Sequence, residues 1–115
     1  MFTRTLLALA CLVGIARAED WPQWRGPRLD GRSSESTFPT KWSQTENVRW
    51  RTEIPGGHAS IVVHGERLFT VAAKPETQER LLICLNRADG KIRWQQTVVT
   101  APMERVHREN SHASS

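Results

Sequence analysis

The tightest constraint on this chain is the stretch from Cys84 to Trp94, Cys-Leu-Asn-Arg-Ala-Asp-Gly-Lys-Ile-Arg-Trp. An apolar run, Leu81 to Leu85, feeds a polar turn centred on Asp89-Gly90, and the chain returns as an alternating segment carrying Trp94. Tight hairpin turns demand positive φ, which glycine adopts without steric cost. Tryptophan is a large apolar plate with a single N–H and wants a flat partner surface. The block therefore predicts a hairpin whose second strand presents a docking aromatic.

Strand patterns surround it. Residues 47–54 alternate, with Val48, Trp50, Thr52 and Ile54 on one side, until Pro55-Gly56-Gly57 interrupts them. Ile61-Val62-Val63-His64 and the run Arg67 to Ala73 flank the two-residue loop Gly65-Glu66, whose leading glycine suits a type II′ turn. Leu81 to Leu85 reads as a third strand and Ile92 to Val98 as a fourth, with Ile92, Trp94, Gln96 and Val98 sharing a face. The middle strands are apolar on both faces, so the sheet must be sandwiched between neighbours rather than face water.

The chain also repeats itself. Val48-Arg49-Trp50-Arg51-Thr52 is echoed 44 residues later by Ile92-Arg93-Trp94-Gln95-Gln96, and Gly57-His58-Ala59-Ser60 is echoed 54 residues later by Ser111-His112-Ala113-Ser114. A longer connection from Thr100 to Asn110 accounts for the difference. Four strands with a period of roughly 40–50 residues are the signature of a β-propeller. The expected fold is therefore all-β: four-stranded blades, of which one complete blade (about residues 59–100) and an N-terminal closing strand (47–54) are present. Residues 111–115 open the next blade. Propellers have typically about 4–8 blades, so the chain reads as the N-terminal end of a longer ring.

The first eighteen residues stand apart. A short basic n-region, an apolar run from Leu6 to Ala16 and Ala16-Arg17-Ala18 ahead of Glu19-Asp20 predict a signal peptide cleaved between Ala18 and Glu19. The run falls short of the roughly 20 apolar residues of a transmembrane helix. Cys11 follows an imperfect lipobox, Ala8-Leu9-Ala10, and the apolar run continues past it, which favours plain cleavage. Removal of the leader takes away Arg4 and Arg17 and leaves 14 basic and 12 acidic residues, interspersed without runs, so nucleic acid is not an expected partner. Cys84 becomes the sole cysteine, which excludes an intrachain disulfide framework; inside Leu82-Ile83-Cys84-Leu85 it reads as a small core residue. Residues 19–46 hold Trp21, Trp24 and Trp42 among prolines, serines and threonines without regular periodicity. They read as an irregular arm pinned to the folded body by its tryptophans; a carbohydrate- or ligand-stacking platform is the alternative.

On these residues the chain resembles the pyrroloquinoline-quinone (PQQ)-like β-propellers and their tryptophan-docking repeat, Ala-x-Asp-x-x-Thr-Gly-x-x-x-Trp. Gly90 and Trp94 match outright; Cys84 stands for the alanine, Asn86 for the aspartate and Asp89 for the threonine. The opening Trp21-Pro22-Gln23-Trp24-Arg25-Gly26-Pro27, the segment Asn47-Val48-Arg49-Trp50 and the closing Asn110 to Ser115 are similar to the secreted repeat proteins of planctomycete-type bacteria. The resemblance implies that Trp94 packs between blades, docking on the adjacent one, while Gly90 and its polar neighbours Asn86 and Asp89 shape the turn and Cys84 belongs to the same docking motif. The implied partners are the remaining blades of the same propeller and other envelope proteins, and the implied location is periplasmic or secreted.

Two functional classes follow from the resemblance. One is a non-catalytic binding or assembly scaffold, similar to propellers that serve outer-membrane protein assembly. The other is a quinoprotein dehydrogenase that oxidises an alcohol or sugar with PQQ and a metal ion. The second needs an acidic base, metal-binding carboxylates or amides, and often a C-x-x-C-H haem site, none of which can be located in the sequence. The scaffold is the favoured reading, because a repeat shape does not establish an activity. No catalytic, cofactor or metal residue is assigned. His58 and His112 occupy equivalent repeat positions just before an innermost strand and are candidates for lining the central channel. His64, His107 and the basic patch Arg105 to Arg108 read as solvated.

Overall fold

The structure, a computed structural model, describes residues 18–114. Most of the expected leader, residues 1–17, and Ser115 lie outside the described residues. The described chain is all-β, without a helix, and its strands form one antiparallel sheet in the order β1-β2-β3-β4. The strands are β1 (Val62–His64), β2 (Arg67–Lys74), β3 (Glu79–Asn86) and β4 (Ile92–Thr100). No described helix is long and apolar enough to cross a membrane.

The three hairpins follow from their turn residues. Gly65 opens the β1–β2 loop with φ of +57°, whereas Glu66 has no positive φ, as a type II′ turn requires. The β2–β3 loop runs from Pro75 to Gln78, with Thr77 N bonded to Lys74 O at 3.2 Å and Gln78 at φ +58°. The β3–β4 loop runs from Arg87 to Gly90. Asn86 N donates to Lys91 O and Gly90 N to Asn86 O, both at 2.8 Å, and Gly90 closes the loop at φ +70°. Both four-residue loops therefore end on a left-handed residue.

Register decides which side chains share a face. Leu68 faces Leu85, Thr70 faces Ile83 and Ala72 faces Leu81 across β2 and β3. These buried residues form the core, with Trp50 and Val63 packed against it. On the opposite face Phe69, Cys84 and Trp94 form one cross-strand row. The Phe69 and Trp94 rings, with centroids 6.2 Å apart at 55°, flank Cys84, which is fully buried. Val71, Trp94 and Val99 remain exposed on this second face, so the sheet is covered on one side and largely open on the other.

Three sequence expectations need correction. Residues 47–54 form no strand. The side chains of Trp50 and Thr52 dock on the Arg87–Gly90 loop, and the backbone of the segment joins no ladder. Ile92 and Trp94 do not share a face. The β3–β4 register shifts between Cys84 and Leu85 and again between Arg80 and Leu81, so Ile92 lies opposite Leu85 on the core side while Trp94 lies opposite Cys84. A bulge inserts one unpaired residue and reverses the alternation beyond it. Finally, the arm is not pinned by all its tryptophans: Trp24 is 68% and Trp42 71% exposed. Trp21 alone is engaged, exchanging backbone bonds with Val63 at 2.9 and 2.8 Å along the free edge of β1.

Candidate functional site

The most developed constellation is the β3–β4 loop and what sits on it. Asp89 organises the loop from within. Its Oδ1 accepts from Asn86 Nδ2 at 2.8 Å and from Lys91 N at 3.0 Å, and these donors hold its carboxyl below the ordinary range, the Lys91 amide having the larger effect. Asn86 Oδ1 in turn accepts from the Arg93 guanidinium at 3.1 Å. Asn86 and Asp89 thus bond to each other across the turn, one at each end of a short Asx-type closure.

Trp50 lies on this loop. Its Nε1 donates to Arg87 O at 3.0 Å, and Thr52 Oγ1 donates to Gly90 O at 2.6 Å. A Cβ placed on Gly90 would fall 2.5 Å from Trp50 Cδ2 and 2.6 Å from Thr52 Oγ1. The indole therefore rests directly on the glycine backbone, with its one polar atom satisfied by the same loop. Glycine is required twice over at this position, by the left-handed φ and by the ring above it. Trp94, 44 residues beyond Trp50, has no such seat among the described residues and is 41% exposed.

Arg87 joins the loop to the arm. It donates to Asp20 Oδ1 at 3.3 Å, to Gly65 O at 3.2 Å and to Glu19 O at 3.3 Å, and its own N–H bonds Glu66 O at 3.0 Å. Asp20 Oδ1 also accepts from Gly65 N at 3.0 Å, and Asp20 Oδ2 lies 3.5 Å from His64 Nδ1. Glu19 is held by Arg28 at 2.7 Å, Ser33 Oγ at 2.9 Å and Ser34 N at 3.0 Å. These donors, Arg28 foremost, lower its carboxyl from 4.5 to about 2. Sequence reasoning gave no role to the side chains of Arg87, Asp20 and Thr52, although each lies in a segment it singled out, because the partners that give them one are 38 to 68 residues away in the chain. Glu19 entered the sequence reading as one side of a cleavage site, next to Ala18, which is exposed.

The segments that carry the two repeat-equivalent histidines lie side by side. His58 N donates to Ala113 O at 2.9 Å and to Ser111 Oγ at 3.0 Å, and a parallel bridge joins His58 to Ser114. Both histidines line an open depression of about 440 Å³, together with Gly57, Pro75, Glu76 and Val106. His112 Nε2 donates to Glu104 O at 2.8 Å, which fixes its ring. No group of three or more His, Cys, Asp or Glu able to hold a metal occurs among the described residues.

Compared with models of protein families, with curated proteins and with solved structures, the chain matches none of them.

Proposed function

We propose that this chain is the N-terminal end of an exported PQQ-like β-propeller that acts as a non-catalytic binding or assembly scaffold. The observation that carries the reading is the seat of Trp50 on the Gly90 turn. A tryptophan of one repeat unit rests on the glycine turn of the next, one period along the chain. By the same rule Trp94, on an otherwise open apolar face, rests on the glycine turn of a following unit. The parallel bridge between His58 and Ser114 supports the same geometry, since the innermost strands of successive blades run in one direction around a channel.

The scaffold reading draws on the kind of contacts present: turn-forming, stacking and edge-covering groups. The quinoprotein alternative would need carboxylates or amides gathered around a metal, and no reaction step is assigned to the described residues.

The test uses the protein of the complete reading frame. Trp94→Ala is expected to cost about 3–5 kcal/mol, as for a fully buried tryptophan, whereas Trp24→Ala is expected to lie within about 0.5 kcal/mol of the parent. Equal, small effects at the two positions overturn the docking scheme. Turnover of an alcohol or aldose by the purified protein, dependent on added PQQ and calcium with an artificial electron acceptor, overturns the scaffold assignment in favour of the dehydrogenase.

A further inference from the structure

The first residues after the expected cleavage point are among the best anchored of the arm. Glu19 N donates to the Glu35 carboxylate, and both residues are partly shielded from solvent. Immediately behind them, Asp20 bridges Gly65, Arg87 and His64, and Trp21 extends the free edge of β1. A nitrogen in this position is a neutral amide while the leader is attached. Hydrolysis of the Ala18–Glu19 peptide bond by an envelope peptidase adds water across it. Ala18 leaves with the new carboxylate, and Glu19 keeps the nitrogen, which takes up a proton to become an ammonium group.

We infer that the α-ammonium group created at Glu19 by leader removal closes an ion pair on Glu35, which adds a charged clasp to an arm already docked on the β1 edge. This inference rests on the exported reading above. The bond to the Glu35 carboxylate is charge-assisted from the acceptor side while the leader is attached, and processing makes the donor a cation as well, which adds a direct Coulomb attraction between the two groups.

The charges around the nitrogen are compatible with that role. The Glu19 side chain is already committed to Arg28, Ser33 and Ser34. Arg87, which donates to Glu19 O at 3.3 Å, is paired with Asp20 at 3.3 Å. The two nearby guanidiniums are thus each matched by a carboxylate, and Glu35 is the carboxylate left to face the new cation.

The consequence is measurable on the α-amine itself. An ordinary α-amino group titrates at about 7.7–8.0, and an ion pair raises that value because it favours the charged form. The mature protein is purified from the cell envelope, its N-terminal peptide is identified by mass, and the rate of α-amine methylation by formaldehyde and cyanoborohydride is followed at pH 8. A pKa raised by one unit lowers the reactive free-base fraction by up to about tenfold. We expect labelling of Glu19 to be several-fold slower in the parent than in Glu35→Gln, with Glu35→Asp between them. An N-terminus at Glu19 that labels equally fast in all three proteins overturns the ion pair and leaves the export reading intact. An N-terminus elsewhere, or a retained leader, overturns the cleavage reading on which the inference rests. Circular dichroism of each variant separates loss of the pair from loss of the fold.

Discussion

The indole of Trp50 lies on the backbone of Gly90, its Nε1 bonded to the carbonyl of Arg87 in the same four-residue loop at 3.0 Å. Two separate costs meet at Gly90→Ala. A left-handed φ of +70° costs an L-residue about 1–2 kcal/mol, and the added methyl collides with the ring, which must move or be expelled. The expected loss is ~2–4 kcal/mol, read as a shift of the urea midpoint of the full-length protein. Trp50→Phe keeps a ring over the glycine but gives up the bond to Arg87 O, so it should cost less than Gly90→Ala. The reverse ranking would mean that the indole N–H, rather than the close stacking, holds the segment.

Much of the sheet is legible in the sequence alone. Gly65-Glu66 and Asp89-Gly90 mark two of the three hairpins because positive φ leaves so few residue choices. The apolar runs between them read as strands because they are short and bounded by turn signals. What escaped was non-local. The bulges that put Ile92 and Trp94 on opposite faces leave no mark in the alternation of β4, since every residue of that strand is exposed. The roles of Asp20 and Arg87 depend on contacts more than sixty residues apart in the chain. Trp24 and Trp42 misled for a related reason: an aromatic in an irregular segment signals burial only when a surface lies within reach, and periodicity cannot supply that information.

Gln78 offers a stabilising change. It is an exposed, non-glycine residue at φ +58°, closing its loop as Gly90 closes the next one. Its backbone carbonyl accepts from Ala101 N at 3.1 Å, a bond that glycine would keep. Removing the left-handed penalty of 1–2 kcal/mol, less the extra unfolded-state freedom of glycine, leaves a net gain of about 0.5–1 kcal/mol for Gln78→Gly. A lower urea midpoint for this variant would contradict the loop geometry.

The attachment of the arm should depend on acid. The Glu19 carboxyl titrates at about 2 in the folded protein against an ordinary 4.5, chiefly because Arg28 donates to it. A folded-state value below the unfolded one means that the ionised form is favoured by the fold. The contribution is therefore complete above about pH 4.5 and is lost as the pH falls toward about 2. Arg28→Met removes the leading cause and should move the Glu19 titration upward toward 4.5, followed by the side-chain carboxyl carbon-13 shift. An unchanged titration in the variant would assign the depression to Ser33 and Ser34 instead.

Cys84 gives the last prediction, and it separates burial from reactivity. The thiol is free and fully buried, on the strand between Phe69 and Trp94, whose rings meet each other on the same face. A thiol reagent must wait for the sheet to open, so modification by a disulfide-exchange reagent should track global unfolding and rise only across the urea transition. Cys84→Ser puts a hydroxyl at a fully buried, apolar position, at a cost of about 1–3 kcal/mol. Cys84→Ala adds no polar group and removes a single heavy atom, so it should be the milder substitution. Rapid labelling of the native protein, together with a Cys84→Ser variant as stable as the parent, would place the thiol at an accessible surface and contradict the aromatic cover.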